Sequence, residues 1–114
     1  MAFHILVASY TDQIYTLSFD PQASSLSLKS AVKVGDDPSW ITSHPNDPSL
    51  VFAALEQSEG KIVILKYGTD GQGHVVGEVP SGGSSPCALY ATTDELFIAN
   101  VCECFPAACE KQIP

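Results

Sequence analysis

An internal repeat constrains this chain more than any other feature. Gly35-Asp-Asp-Pro38-Ser-Trp40 is answered 48 residues later by Gly83-Ser-Ser-Pro86-Cys-Ala88, and Ile14-Tyr-Thr-Leu-Ser-Phe19 returns at the same offset as Ile62-Val-Ile-Leu-Lys-Tyr67. Val51-Phe-Ala-Ala54 returns as Leu96-Phe-Ile-Ala99, here after 45 residues. A unit of this length, made of short apolar runs between Gly, Pro and Asp turns, is the signature of a four-stranded propeller blade of about 40–50 residues. Propellers close with about four to eight blades. The 114 residues have room for little more than two, so the repeat predicts both an architecture and a partial one.

The alternation of apolar residues places the strands. Ile5–Tyr10, Gln13–Asp20 and Ser25–Val34 read as an antiparallel meander, with a turn at Thr11-Asp12. Pro38–His44, Leu50–Glu56, Lys61–Tyr67 and His74–Val79 read as one whole blade, with turns at Asn46-Asp-Pro48, Glu59-Gly60 and Asp70-Gly71. Cys87–Thr92 and Glu95–Ala99 open a third blade. No window carries apolar residues at helical spacing with caps at both ends. The expected fold class is therefore all-β: antiparallel meanders forming one complete four-stranded blade between two partial ones. Residues 1–100 make up this partial propeller, and 101–114 a separate Cys-rich tail.

Charge narrows the function classes. Thirteen acidic residues outweigh five basic ones for a net charge of −8, and none of the basic residues is arginine. A nucleic-acid surface needs a basic stripe to neutralise phosphates, so no nucleic-acid partner is expected. The opening Met1–Ala8 lacks a basic n-region, and no stretch approaches the roughly 20 apolar residues of a membrane span. The expected location is cytoplasmic, with no membrane partner. Four cysteines in a reducing compartment read as thiols. Cys102-x-Cys104-x4-Cys109 does not match the Cys-x2–4-Cys pairs of common structural zinc sites, so neither metal nor cofactor is expected. Gly71-Gln-Gly73 lacks the following helix of a phosphate loop and reads as a hairpin turn. There is no Gly-x-Ser-x-Gly elbow for a serine hydrolase.

The string Asp37-Pro38-Ser39-Trp40-Ile41 … His44-Pro45 … Leu50-Val-Phe-Ala-Ala54 … Glu56 resembles the seven-bladed propeller lactonase family, which includes bacterial-type 6-phosphogluconolactonases and eukaryotic carboxy-cis,cis-muconate cyclases. Ile5–Tyr10 resembles the family's first strand, and Leu96-Phe-Ile-Ala-Asn100 its Leu-Phe-Val-Ala-Asn-Tyr strand. The resemblance covers residues 4–100, a third of a full-length member. It implies that the first strand of each blade lines a central channel, making Ser39–His44 and Cys87–Thr92 channel walls. It also implies that the opening strands lack an innermost partner supplied elsewhere by ring closure. Two family residues are replaced, by Leu55 before Glu56 and by Val101 after Asn100.

Trp40, His44 and Glu56 are the substrate-facing candidates. Glu56 has the chemistry of a general base or a lactone-hydroxyl acceptor, and His44 that of a proton shuttle. The competing reading makes Trp40 an interblade packing residue, His44 a turn residue and Glu56 a loop-amide acceptor. The family's catalytic His and Arg residues lie in later blades. Its anionic lactones call for a guanidinium, so no catalytic residue is assignable and the chain is expected to be inactive alone. The alternative is a β-sheet interaction module that joins a second copy or another protein through its open blade edges. Val101-Cys102 can be written GTATGT, a common intron start, so residues 101–114 are expected to derive from a retained intron or a shifted frame. The genomic sequence checks this, and an uninterrupted exon across those codons overturns it.

Overall fold

The computed structural model describes residues 2–101, so the Cys-rich tail lies outside the described residues. Nine strands run in chain order: β1 (Phe3–Ala8), β2 (Gln13–Asp20), β3 (Ser25–Lys33), β4 (Pro38–His44), β5 (Asp47–Leu55), β6 (Lys61–Tyr67), β7 (Gly73–Pro80), β8 (Pro86–Ala91) and β9 (Leu96–Asn100). They form three antiparallel sheets ordered β1-β2-β3, β4-β5-β6-β7 and β8-β9. This is the expected whole blade between two partial ones. No helix among the described residues is long and apolar enough to cross a membrane.

The repeat extends to backbone irregularities that no residue pattern displays. The β2–β3 pairing shifts register at Thr16/Leu17, and the β6–β7 pairing shifts at Ile64/Leu65, 48 residues on. The β4–β5 ladder shifts between Pro38 and Trp40, and the β8–β9 ladder between Pro86 and Ala88, again 48 apart. By these bulges β2 is the counterpart of β6, β8 of β4 and β9 of β5. The first sheet thus begins with the counterpart of β5. It has no counterpart of β4, and the inner edge of β1 is unpaired among the described residues.

A bulge also explains why strict alternation misleads in β3. Leu26, Leu28 and Val32 are all even-numbered, yet Leu26 and Leu28 stand opposite Phe19 and Leu17, whereas Val32 stands opposite Ile14. One extra residue at Lys29 carries the pattern through the sheet, since a shift of one residue exchanges faces. Leu26 and Leu28 are exposed, while Val32 packs into the core. The first hairpin turn of the second sheet is tighter than the expected Asn46-Asp-Pro48. His44 pairs with Asp47, so only Pro45 and Asn46 lie between the paired ends. Asp47 accepts hydrogen bonds from the Ser49 backbone N–H and hydroxyl and an ion pair from Lys66, which hold it in the strand.

Two cores separate the sheets. Ile14 from the first sheet is buried with Val51, Ala53, Leu55, Val63 and Leu65 of the second. Ala54 and Ile62, on the other face of the second sheet, are buried with Leu89 of the third, flanked by Phe52, Leu96 and Ile98. Thr16 is buried in the first interface because its hydroxyl donates to the Gly71 carbonyl at 2.8 Å, a carbonyl that also accepts from Ser30 at 3.1 Å.

The sheets are joined by a repeated corner. Asp37 and Ser85, each just before the proline that opens an inner strand, have φ of 58° and 53°. The Asp37 N–H donates to the Thr11 carbonyl at 2.8 Å, and its own carbonyl accepts from Glu56 N–H at 2.8 Å. Ser85 repeats both contacts, donating to Gln57 at 2.7 Å and accepting from Val101 at 3.0 Å. Beside this corner the Ser81 hydroxyl donates to Asn100 Oδ1 at 2.7 Å, and Asn100 Nδ2 donates back to the Ser81 carbonyl at 3.2 Å. Gly60 is pressed into the same place: a Cβ there would lie 2.2 Å from Ser81 Oγ, 2.4 Å from Pro86 Cδ and 3.0 Å from the Gly83 carbonyl. Backbone and a proline ring cannot yield as a long side chain can. Gly60→Ala is expected to destabilise the fold by about 1–3 kcal/mol, read as a lower thermal midpoint, while Gly82→Ala, where a Cβ meets only open space, costs no more than its φ of 83° dictates.

Candidate functional site

The innermost strands are β4 and β8. Each opens its sheet and they pack against one another, whereas the outer strands β3 and β7 meet on the far side. The start of β4 and the end of β5 converge on one rim, since Pro38 pairs with Leu55. The β1–β2 corner arrives at the same rim, because Thr11 bonds Asp37 and Asp37 bonds Glu56. Local sequence produces this convergence: the prolines at 38 and 86 start the inner strands after a left-handed residue, and Asp is among the side chains that tolerate that conformation.

Glu56 stands at this rim, its backbone N–H bonded to the Asp37 carbonyl and its carboxylate on the side of the Tyr10 phenol. The Glu56 carboxylate, as hydrogen-bond acceptor and then as charge, is the main cause that raises the Tyr10 pKa above its ordinary value of 10.0, with smaller contributions from desolvation and from the charges of Asp37 and Cys87. Trp40 lies one strand position inward, opposite Ala54 and 44% exposed. It edges a shallow cleft of about 410 Å³ with Leu6, Val7, Ala8, Ser39 and Ile41.

His44 lies at the other end of β4. At the ~3.3 Å rise of a strand residue, it is about 23 Å along the strand from the position beside Glu56. Its Nδ1 accepts the Asn46 N–H at 3.1 Å, and its Nε2 meets the Thr93 carbonyl at 3.0 Å. Those partners assign the neutral tautomer with the proton on Nε2. Both ring nitrogens are thus occupied in tying the β4–β5 turn to the β8–β9 turn, reinforced by Asn46 Nδ2 donating to the Thr93 hydroxyl at 3.3 Å. The structure brings Trp40 and Glu56 to one rim and leaves His44 apart from them.

Tyr10, Asp37 and Cys87 complete the rim, and none was among the sequence candidates. The signal for Tyr10 was present in its position: it follows β1, the counterpart of β5, just as Glu56 follows β5. The rim is acidic and aromatic. Lys33, Lys61 and Lys66 are engaged elsewhere, by Asp12, Glu78 and Asp47 respectively. Among the described residues no group of His, Cys, Asp or Glu is arranged to hold a metal ion. A second cleft of about 480 Å³ lies between the first two sheets, lined by His4, Thr42, Ser43, Tyr67 and Gly71 among others. Burial raises the Tyr67 pKa, and its hydroxyl has no protein partner there.

Successive antiparallel sheets of three, four and two strands, with β4 and β8 packed together on the inner side, define part of a propeller. The chain belongs to the seven-bladed β-propeller lactonase family, whose description matches residues 4–101. Among solved structures it is similar to a candidate 6-phosphogluconolactonase from Bacteroides fragilis, with a TM-score of 0.79 at 23% identity over 87% of this chain and 29% of that one. It is also similar to a candidate 6-phosphogluconolactonase from Bacteroides uniformis, with a TM-score of 0.78 at 22% identity over 87% of this chain and 30% of that one. The chain thus spans about three tenths of the length of these proteins. No curated protein matches it.

The Tyr10–Glu56 pair has a direct spectroscopic test. In an ultraviolet pH titration compared with Tyr10→Phe, the Tyr10 component is expected to ionise above pH 10.0. Glu56→Gln removes the carboxylate charge and Glu56→Ala the acceptor as well, and each is expected to bring the midpoint down. An unmoved midpoint counts against the pairing.

Proposed function

We propose that the rim formed by Tyr10, Asp37, Trp40 and Glu56 faces the substrate in a propeller lactonase, and that Glu56 receives a hydroxyl or an attacking water of a small cyclic ester. The observation that supports this reading is the convergence of the end of β5, the start of β4 and the β1–β2 corner, tied by the Asp37 bonds to Thr11 and Glu56, which brings Glu56, Tyr10 and Trp40 to one rim. A carboxylate so placed is a hydrogen-bond acceptor or general base, and Trp40 offers an apolar wall for a sugar-like ring.

Among the described residues the rim has no cation, whereas a phosphorylated or carboxylated lactone needs one to offset its charge in the transition state. The full family reaction, whether 6-phosphogluconolactone hydrolysis or muconolactone ring chemistry, therefore requires groups beyond this rim. We assign this chain a binding role without turnover on its own. Trp40 is the only tryptophan, so its fluorescence reports the rim directly. Titration with a neutral six-membered sugar lactone is expected to give a saturable change. Glu56→Gln is expected to weaken binding about tenfold, the equivalent of one charge-assisted hydrogen bond. Lactone hydrolysis is expected not to exceed the spontaneous rate. Lactone hydrolysis above the spontaneous rate that survives Glu56→Ala would remove Glu56 from the site.

A second reading rests on a different observation. The inner edge of β1 and the outer edge of β9 are unpaired among the described residues, and such edges accept a strand from another polypeptide. On this reading the chain is an interaction module, and its partner is a protein segment that adds in extended form.

A further inference from the structure

The two end sheets expose faces that the repeat identifies as the two halves of one contact. On the first sheet, Ile5 and Val7 of β1 stand opposite Leu17 and Tyr15 of β2, and Leu17 stands opposite Leu28 of β3. This face points away from the second sheet, and Ile5 remains 41% exposed. By register its counterparts are Val51, Ala53, Val63 and Leu65, all buried against the sheet before them. The Ile5 face is therefore built to receive a preceding sheet.

The third sheet shows the opposite polarity. Leu89 and Ile98 pack back onto the second sheet, while Tyr90 and Phe97, paired across the β8–β9 ladder, point outward, with Tyr90 68% exposed. Phe97 and Ala99 correspond, 45 residues back, to Phe52 and Ala54, which carry the next sheet in this chain. The Tyr90–Phe97 face is built to carry a following sheet.

We propose that the chain associates with a second copy of itself head to tail, the Ile5 face of one copy stacking on the Tyr90–Phe97 face of the next. This continues the interface that already joins the first sheet to the second and the second to the third, now between molecules. It uses sheet faces, and so depends neither on strand-edge pairing nor on lactone binding. Edge pairing is a poor route between copies: β9 and β1 are both second strands of their blades, so joining them would make a blade of five strands instead of four. The contact is heterologous, using different surfaces on the two partners, and such contacts extend unless the rotation closes a ring. The three sheets of the described residues do not divide a ring of seven blades, so growth through this contact alone is open-ended. The net charge of −8 opposes the contact, and added salt screens that repulsion.

The test is light scattering after size exclusion on the full chain in a reducing buffer, which keeps thiols from linking copies. The wild-type mass is expected to rise above 12.1 kDa with concentration and with salt. Ile5→Glu blocks the receiving face and Tyr90→Lys the carrying face, and each alone is expected to be monomeric, with association weakened at least about tenfold. An equimolar mixture of the two variants is expected to restore a dimer, because the Tyr90 face of the Ile5→Glu chain remains open to the Ile5 face of the Tyr90→Lys chain. Circular dichroism and a thermal melt confirm that both variants fold. A wild-type monomer at all concentrations overturns the proposal. Variants that both still associate point to strand edges, and a mixture that stays monomeric excludes the head-to-tail contact.

Discussion

The left-handed residue before each inner-strand proline is the constraint on which the arrangement of sheets depends. Asp37 and Ser85 each turn the chain from the outer strand of one blade to the inner strand of the next, and each uses both backbone groups in doing so. The N–H binds the preceding blade's strand end and the carbonyl binds that of its own blade. Backbone polar groups at a buried corner must be satisfied. Meeting that requirement in the same way at both corners sets successive sheets in the same relation. The two apolar cores on either side of the second sheet follow from that placement.

Much of this architecture was legible in the residues. Apolar runs, turn residues and the 48-residue offset place all nine strands, three with their observed bounds and the rest displaced by no more than three residues. The bulges were not legible, because an extra residue in a ladder leaves no mark on a pattern of period two. Leu26, Leu28 and Val32 look like one stripe and lie on two faces. Thr16 was hidden for a related reason: a polar residue between Tyr15 and Leu17 looks solvent-facing, yet it is buried because a carbonyl 55 positions away meets its hydroxyl.

The rim was legible only in part. Glu56 and Trp40 stand out by type and by their place in the repeat, and they do reach one end of the channel strands. His44 stands out equally well, but its separation from Glu56 is a matter of strand direction: the two residues lie at opposite ends of one ladder. Its two ring nitrogens serve turns from different blades, a structural task that no spacing rule distinguishes from catalysis. Tyr10 became visible only once the corner brought the end of β1 beside that of β5. The backbone repeat is kept through all three sheets, whereas the side chains it brings to the rim are acidic and aromatic.

The Gly71 carbonyl has a wider consequence. It takes hydroxyls from both Thr16 and Ser30, two strands of the neighbouring sheet, inside an otherwise oily seam. Apolar faces stacked on one another resist separation but oppose sliding only weakly, since one methyl replaces another along the strand. A carbonyl with two directional partners admits one position and leaves three polar atoms bare at any other. The turn from Gly68 to Gly73 thus works as a detent between blades at the end of the seam away from the Asp37 corner: apolar packing supplies the grip, and directional bonds at each end fix where the blades stop.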